Sequence, residues 1–448
     1  MQIALAFVAV CLPGLAWWLW LGDHKQDGGE ALARIFAVSA GFITLVALAF
    51  YTVRLSFGPL AIGLLLSICI GLVLAGLIRS WKTAFNKTWL FALLFLAIFV
   101  IWRLWQAREL VFPNWVDSQH HVLIIRKIIE SGGLPSTLEP YLPGPFYYHF
   151  SFHVITALFS ALSGLSPERS VLLLGQVMNA CVGLSVYALA KAIGKDWRIG
   201  LLAGLFVTFV TKMPGYYLSW GRYTLLIGVM ILPVAMAEVE CLRRKPVEWW
   251  RLSGMFLLTV GTLLSHYFTA FLLALFFGFL ALQGTVEIIR YRSFQRKPFF
   301  SIATSIFMGL VFASRWYYRI FVYSDATSRP VLRMVDPETL EGSWDYLFSL
   351  VGPTSGYVLI ALGIIGLLWS VFTTKKYYYF GWALLTLVLS LPTGFRLMNF
   401  RYDYYALISF IPITISAAFA IVLSFERLLN EKRISTGLIL LLGASLTV

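Results

Sequence analysis

Long apolar runs dominate this chain of 448 residues and constrain its fold more than any other feature. More than ten stretches of roughly 20 residues carry almost no charge, and a helix of that length can cross the hydrocarbon core of a bilayer. Only 12% of the residues are charged, whereas a soluble domain typically carries about 25%. The sequence therefore excludes a soluble enzyme, a secreted disulfide scaffold and a disordered protein. It predicts an all-α polytopic membrane protein.

We expect about 11 to 14 crossings, because several of the apolar runs are short. The predicted spans are residues 2–22, 34–53, 57–78, 88–105, 170–190, 199–216, 224–241, 251–265, 267–288, 299–322, 346–371, 377–394, 403–424 and 434–448. The first run lacks a basic start and is too long for the apolar region of a signal peptide, so we expect it to remain in the membrane. The four cysteines show no metal or disulfide spacing and are expected to act as small apolar residues.

The basic residues orient the predicted spans. Lys and Arg accumulate in the short loops on the cytoplasmic side of membrane proteins. If residues 106–169 lie outside, most of the 35 basic residues fall in the short loops of the other side. The net charge of +14 is then a signal of topology and lipid headgroups rather than of nucleic-acid binding. The expected location is the cell (inner) membrane, with the active face exterior or periplasmic.

This orientation has a consequence for the apolar segment from His149 to Leu165. If that segment crossed the membrane, every later loop would change sides. We therefore expect it to be an interfacial helix of the large exterior loop. The expected domains are N-terminal spans (1–105), the large exterior loop with the active site (106–169), and a transmembrane bundle (170–448) with exterior loops near 211–224, 323–345 and 395–403.

The large exterior loop contains the strongest candidates for catalysis. Asp117 opens a helix-like run, DSQHHVLIIRKIIES, which ends at Gly132 and Gly133. His120 and His121 follow at helical spacing, so we expect the carboxylate and both imidazoles on one face. These three residues suit a general base with an orienting partner, and Asp117 with His121 also suits a divalent-metal site. A helix-capping aspartate explains the position of Asp117 as well.

Other residues of the same loop are candidates for binding a substrate. Arg126 follows on the same predicted helix and could meet a phosphate. Tyr148, His149 and His153 come after a PGP turn and combine aromatic faces with imidazoles. That combination suits a sugar ring, and an aromatic belt at the membrane interface is the alternative interpretation.

Three later exterior loops add further candidates. Arg222 (in WGRY) and Arg401 (in FRYDYY) stand among aromatic residues and either snorkel to the interface or bind phosphate or carboxylate. His266 lies in a tight outer turn, as a neutral buried histidine or as a functional ionisable group. The acidic loop 323–345 is long enough to be a lid, or it is a plain solvated loop.

The run beginning at Asp117, followed by YLPGPFYYHFSFH and LFSALSGLSPERSVLLLGQVMNACVGLSVYALAKAIG, resembles the GT-C superfamily of membrane glycosyltransferases. That superfamily includes protein O-mannosyltransferases, oligosaccharyltransferase catalytic subunits and aminoarabinose transferases of lipid A. The resemblance covers about residues 110–200 and extends weakly through WGRYT, LLSHYFTA and FRYDYYALISFIPITISAA. It implies a GT-C-like bundle and a sugar donor linked to polyprenyl phosphate.

The resemblance also implies roles for individual residues. Asp117 takes the place of the family's loop aspartate, which is a base or an acceptor-orienting residue and in some members a metal ligand. Ser118 follows where the family often has a second acidic residue, so a divalent cation (Mn, Mg or Ca) stays open, with either adjacent histidine able to compensate. Arg222 and Arg401 match late-loop arginines that hold the lipid phosphate. The expected partners are the polyprenyl-phosphate-linked sugar, membrane lipids and an unknown acceptor, without nucleic acid.

Three other functions stay open at this point. A polytopic transporter would place ionisable residues near the bilayer midplane and show an internal repeat, which the sequence lacks. A ligase or polymerase that uses a lipid carrier would also use His and Arg in outer loops. A catalytically inactive GT-C-like partner subunit fits the missing acidic pair. The sequence ends inside an apolar run, which leaves a longer chain open.

Overall fold

The computed structural model describes residues 1–244, 249–291, 296–324, 332–334, 343–352 and 355–429, and these are almost entirely helical. The helices are α1 (Gln2–Leu21), α2 (Gly28–Thr52), α3 (Pro59–Ala84), α4 (Thr88–Gln106), α5 (Val116–Ser131), α6 (Ser151–Ser163), α7 (Pro167–Gly194), α8 (Trp197–Leu205), α9 (Tyr217–Trp220), α10 (Tyr223–Arg244), α11 (Trp249–Ser265), α12 (Tyr267–Tyr291), α13 (Arg296–Tyr323), α14 (Ser343–Val351), α15 (Ser355–Thr374), α16 (Tyr377–Leu389), α17 (Tyr402–Ile408) and α18 (Phe410–Leu429). A π-helical turn (Phe206–Val210) follows α8, and the strands are β1 (Thr137–Leu138), β2 (Leu142–Pro145), β3 (Leu332–Met334) and β4 (Phe395–Leu397).

Most of the predicted spans are long helices. Within the described residues, nine helices are long and apolar enough to cross a membrane, and α17 with α18, bent by 44°, would make a tenth. The nine are α1, α2, α3, α4, α7, α10, α12, α13 and α15. The chain is therefore an all-α multi-pass membrane protein, as predicted.

The remaining predicted spans differ from the expectation of 11 to 14 crossings. The runs at 199–216, 251–265 and 377–394 form helices of 10–17 residues. At 1.5 Å per residue, such helices are shorter than a hydrocarbon core of about 30 Å. The run at 346–371 is divided between α14 and α15, and the run at 434–448 lies outside the described residues.

The chain forms two compact units. Unit 1 comprises Met1–Cys181, Tyr217–Ala270 and Arg296–Thr327, and unit 2 comprises Val182–Tyr216, Phe271–Gln295 and Ser328–Val448. Unit 1 draws on all three of the sequence segments 1–105, 106–169 and 170–448, whereas unit 2 lies entirely within 170–448. All the predicted site residues except Arg401 lie in unit 1.

Helix α6 lies at the centre of unit 1. Helices α1, α2, α5, α10 and α11 all pack against it, and Phe152, Ile155 and Phe159 are fully buried. With 13 residues it is too short to cross a bilayer, in agreement with its exclusion from the spans. It is enclosed by helices rather than lying along a surface, since its polar residues Ser151, His153 and Thr156 are as fully buried as its apolar ones.

Close helix contacts and helix caps build the rest of unit 1. Asp27 caps α2 by accepting a hydrogen bond from the Glu30 backbone N–H at 2.9 Å. Helices α2 and α11 touch through their backbones, since a Cβ on Gly41 would lie 2.2 Å from the Leu257 carbonyl oxygen. Farther along α2, the Thr44 hydroxyl lies 2.7 Å from the Ser151 hydroxyl at the start of α6.

The two ends of unit 1 carry different connections. At one end, the α1–α2 and α3–α4 loops meet where the Gly28 N–H donates to Thr88 Oγ1 at 2.8 Å. At the other end of α2, the Phe57 N–H donates to the Gly132 carbonyl at the end of α5 at 2.6 Å. Helix α5 and the loops around it therefore lie at the end opposite to the α1–α2 and α3–α4 loops, which contain Lys25 and Lys87.

Unit 2 is organised around α15 and α18, which pack along their lengths. A Cβ on Gly366 of α15 would lie 1.7 Å from the Ser416 carbonyl oxygen of α18, so only glycine permits this approach. Strands β3 and β4 pair in antiparallel register, with Leu332 opposite Leu397. The strand β4 leads to Arg401 at the start of α17.

Candidate active site

Helix α5 forms where the sequence predicted it. It runs from Val116 to Ser131 and ends at Gly132 in the left-handed conformation, with φ of 64°. Asp117 lies in the first turn, half-buried, where the positive end of the helix dipole favours a carboxylate.

The two neighbouring histidines of α5 point in different directions. His121 is 3% exposed and faces the core of unit 1, whereas His120 is exposed. Successive residues on a helix are about 100° apart, so the spacing allowed both on one broad face but did not require it. The structure separates the pair that the sequence was expected to place together.

His121 has a protein partner at each ring nitrogen. Its Nδ1 lies 2.9 Å from Nε2 of His153 on α6, and its Nε2 lies 2.9 Å from the Gly221 carbonyl oxygen. Burial lowers the pKa of His121 to about 4, and the nearby His120 and Arg222 lower it further. Burial likewise puts the pKa of His153 well below its usual range. The two imidazoles are therefore neutral near pH 7.

A second pair of histidines lies beside the first. The rings of His149 and His266 are 4.5 Å apart, and the ring of Tyr148 lies 3.9 Å from that of His149. Nδ1 of His266 accepts a hydrogen bond from the Phe268 N–H at 3.1 Å, and burial lowers the pKa of His266 to about 3. Nε2 of His149 is buried and has no hydrogen-bond partner among the described residues.

The WGRY turn packs against the first turn of α5. Gly221 has φ of +60°, and a Cβ there would lie 2.5 Å from Ser118 Oγ and 2.9 Å from the Ser118 nitrogen. The contact therefore requires glycine. Ser118 follows Asp117 in the chain and Arg222 follows Gly221, so the two candidates stand on adjacent backbone segments. The Arg222 guanidinium also lies 5.6 Å from the centre of the Trp220 ring.

Three of the predicted binding residues contact polar or charged groups of the protein. Arg126 forms an ion pair with Glu168 and lies nine residues, or about 13 Å, along α5 from Asp117. The Tyr148 hydroxyl lies 3.5 Å from Thr224 Oγ1, one turn after the WGRY motif begins. Arg401 belongs to unit 2 and lies 3.4 Å from Asp403.

Two residues of α13 hold the tyrosine and histidine segment in place. Trp316 is 1% exposed, and its Nε1 donates to the Tyr148 carbonyl at 3.2 Å. Arg319 donates from Nε to the Phe146 carbonyl and from Nη2 to the Ser136 carbonyl, both at 2.6 Å. Sequence reasoning assigned neither residue to the site, because their partners are backbone carbonyls more than 160 residues away.

The predicted metal site has a weak structural basis. Within the described part of the chain, no three His, Cys, Asp or Glu side chains are grouped so that they could hold a metal ion. His121, one of the two expected ligands, already has both ring nitrogens within hydrogen-bonding distance of protein groups. Asp117 and His121 therefore do not fit a cation in this arrangement.

The loop 323–345, expected to be solvated or a lid, lies largely outside the described residues. Only its ends and the strand β3 are described. Of its five acidic residues, Asp345 alone is in a described helix, α14.

Comparison with solved structures supports the GT-C-like architecture. The crystal structure of the Archaeoglobus fulgidus oligosaccharyltransferase in its apo form matches with a TM-score of 0.55 and 14% sequence identity, over 82% of this chain and 55% of that one. The same organism's oligosaccharyltransferase AglB, in complex with an inhibitory peptide and a dolichol-phosphate, matches with a TM-score of only 0.38 at 14% identity, over 79% of this chain and 54% of that one. This chain thus spans about half the length of these neighbours.

At this identity the likeness concerns the fold, and it confirms the predicted GT-C-like helical bundle. A search of the curated proteins found no match. The model of a family of unknown function, DUF6541, matches residues 7–405, most of the sequence, and the chain belongs to that family.

Proposed function

We propose that this chain is an integral-membrane glycosyltransferase that moves a sugar from a polyprenyl-phosphate carrier to an acceptor. The observation that carries the proposal is a GT-C-like fold in which a half-buried carboxylate, Asp117, and an arginine, Arg222, flank one backbone contact between Ser118 and Gly221. A carboxylate and a cation on adjacent backbone segments supply the two kinds of group that the transfer of a sugar from a phosphate carrier requires. The neighbouring fold belongs to an enzyme named an oligosaccharyltransferase.

Asp117 and Arg222 have separate roles in the proposed reaction. Asp117 accepts the proton of the acceptor group as its oxygen or nitrogen forms a bond to the anomeric carbon of the sugar. The bond between that carbon and the phosphate oxygen breaks, and the polyprenyl phosphate leaves with the electron pair. Arg222 stabilises the negative charge on the leaving phosphate through charge-assisted hydrogen bonds. No metal ion is part of these steps.

The aromatic and imidazole groups next to the turn would bind the sugar. Tyr148 is 40% exposed and offers both a ring face and a hydroxyl, and Nε2 of the adjacent His149 lacks a partner among the described groups. A ligand hydroxyl would form a hydrogen bond with that nitrogen. Without such a bond, the buried nitrogen lowers the stability of the fold. His120, exposed beside Asp117, is a second group able to orient the acceptor.

The active face is the exterior or periplasmic face of the cell membrane in this proposal. Lys25 and Lys87, in short loops at the opposite end of unit 1, support this orientation. An inactive partner subunit or a transporter would share the bundle but would not use Asp117.

The first test measures release of polyprenyl phosphate by the purified protein in lipid nanodiscs supplied with a panel of short-chain polyprenyl-phosphate sugars, with water taking the sugar in place of the unknown acceptor. We expect turnover with one donor and a fall of at least about 100-fold in kcat for Asp117→Asn, with donor affinity retained. Glu130→Gln is the matched control, because Glu130 is 54% exposed on the same helix. Full activity of Asp117→Asn would overturn the role of the base.

A second arm addresses the metal and the two rival functions. Turnover should be unchanged by EDTA, since no described ligand set holds a cation. If folded protein neither binds nor turns over any donor of the panel, the transferase proposal fails and the inactive-subunit or transporter function takes its place.

A further inference from the structure

The hydrogen bonds around His121 have a direction that their chemistry fixes. A backbone carbonyl only accepts hydrogen bonds, so His121 Nε2, 2.9 Å from the Gly221 oxygen, must carry the proton. A neutral imidazole carries one proton, which leaves His121 Nδ1 as an acceptor. Nε2 of His153, 2.9 Å away, must then be the donor. The bonds run from His153 to His121 to the Gly221 carbonyl.

The opposite direction of these hydrogen bonds would require a buried, positively charged imidazolium. If His121 donated from Nδ1 as well, it would be an imidazolium with a surface exposure of only 3%. The charged groups that act on His121 are His120 and Arg222, both cationic or potentially cationic. Burial lowers the pKa of both histidines of the pair, which agrees with two neutral rings.

The last acceptor of this series lies in a tight turn that requires glycine. Gly221 has a left-handed backbone, packs against Ser118 and directly precedes Arg222. Its carbonyl oxygen accepts a hydrogen bond from His121 of α5, and His121 accepts one from His153 of α6. Both helices are thereby connected to the WGRY turn. Without the N–H of His121, the peptide that joins Gly221 to Arg222 would keep, within the described part of the chain, only the hydrogen bond from the Arg222 N–H to the Tyr217 carbonyl, at 3.2 Å.

We infer that His121 and His153 are positioning residues, a neutral and one-directional imidazole pair that fixes the Gly221–Arg222 peptide beside the first turn of α5. His121 thus acts through Arg222 rather than as the proton acceptor that its spacing from Asp117 predicted. The inference rests on the proposed function for the statement that Arg222 binds the donor phosphate. The direction of the hydrogen bonds does not depend on it.

The direction is tested by ¹⁵N NMR of protein labelled at histidine, with His121 and His153 assigned by loss of signals in single variants. We expect both residues at pH 7.5 to show a protonated Nε2 and a bare Nδ1, with an N–H···N coupling between the two rings. A protonated Nδ1 on His121, or an imidazolium at either residue, would overturn the pair as described. This readout needs neither substrate nor activity.

The positioning role is tested by binding of a short-chain polyprenyl phosphate. His153→Gln keeps an N–H donor near the position of Nε2, and we expect an affinity within about threefold of the unchanged protein. His153→Leu removes the N–H that donates to His121, and we expect polyprenyl phosphate to bind about tenfold more weakly. The KM for the sugar-carrying lipid should rise, with little change in kcat. Equal losses in both variants would overturn the positioning role.

Matched controls separate this effect from general damage. Thr156→Val removes a buried hydroxyl on the same helix, but that hydroxyl donates only to the Phe152 carbonyl one turn back, so binding should be unchanged. If the unchanged protein binds no polyprenyl phosphate while NMR finds the expected tautomers, the proposed function fails and the histidine pair stands. If NMR finds other tautomers while polyprenyl phosphate still binds, the histidine pair as described fails and the proposed function stands.

Discussion

At the residue scale, the buried histidines make the stability of unit 1 depend on pH. The pKa values of His121 and His266 fall to about 4 and about 3, and those of His149 and His153 lie well below their usual range. Burial is the main cause in all four, because a charged imidazole loses its hydration. In an unfolded chain the same groups titrate near 6.5.

We expect acid to destabilise the folded protein between about pH 6.5 and pH 4. In that window the unfolded state binds more protons than the folded state, so the free energy of unfolding falls as the pH falls, by up to about 1.4 kcal/mol per pH unit for each histidine. Thermal unfolding in detergent at pH 7.5, 6.0 and 5.0 measures the slope. His153→Gln should reduce the dependence of stability on pH by the contribution of one histidine. A midpoint of thermal unfolding that does not change with pH would contradict the expectation.

Gly221 offers a second test at a single position. We expect Gly221→Ala to destabilise the WGRY turn, because the new Cβ would lie 2.5 Å from Ser118 Oγ and the residue has φ of +60°. Gly144→Ala is the control, since Gly144 has φ of +95° but no atom within 4 Å of the added Cβ. Both variants carry backbone strain of order 1–3 kcal/mol. Only Gly221→Ala should also weaken polyprenyl phosphate binding, and equal binding in the two variants would contradict the packing argument.

At these positions, the sequence indicated which residues matter better than how they act. Asp117, His121 and Arg222 were selected from spacing and neighbours, and the fold brings the segments that carry them together. Whether His120 or His121 faced inward was not decided by spacing, because the apolar stripe of α5 is set by what packs on it. The His121–His153 hydrogen bond joins residues 32 positions apart on separate helices, which no local pattern encodes.

At the scale of elements, the segment before α6 is held by hydrogen bonds from α13. Residues Phe146 and Ser136 flank the β1–β2 hairpin, and their carbonyls both accept hydrogen bonds from Arg319. Hydrogen bonds to a charged donor are worth about 1.5–3 kcal/mol each. The segment that contributes Tyr148 and His149 is therefore held from α13.

We expect Arg319→Gln to loosen that segment without unfolding the bundle. Hydrogen–deuterium exchange of peptides covering residues 134–150 should become faster, while exchange in α2 and α10 should not change. Arg315→Gln on the same helix is the control, because Arg315 is exposed one turn earlier. Unchanged exchange in residues 134–150 would show that Arg319 does not hold the hairpin.

Hydropathy predicted long helices well and short ones poorly. The long runs became α1, α2, α3 and α4, although α2 begins earlier, at Gly28, and α3 ends later, at Ala84, than predicted. Twenty apolar residues have few alternatives to a spanning helix. The run at 199–216 is as apolar but ends in a π-helical turn at Phe206–Val210. The apolar run around α6 became a core helix, and burial by neighbouring helices cannot be read from composition.

At the scale of the whole molecule, sidedness decides what the proposed reaction can reach. Unit 1 carries Lys25 and Lys87 in the loops at one end and the histidine pairs at the other. Short basic loops remain on the cytoplasmic side because translocating their charge is unfavourable. The site would then face outward, where a lipid carrier presents its sugar to exterior acceptors.

We expect a cysteine at Glu130 to react with a membrane-impermeant maleimide in intact cells, and a cysteine at Lys25 to react only after permeabilisation. Both residues are exposed in unit 1, and the four native cysteines would first be replaced by alanine. Labelling of both variants after permeabilisation controls for intrinsic reactivity. The reverse pattern would put the Asp117 end of unit 1 in the cytoplasm, and the acceptor would then have to be a cytoplasmic molecule, whereas the chemistry of Asp117 and Arg222 would be unaffected.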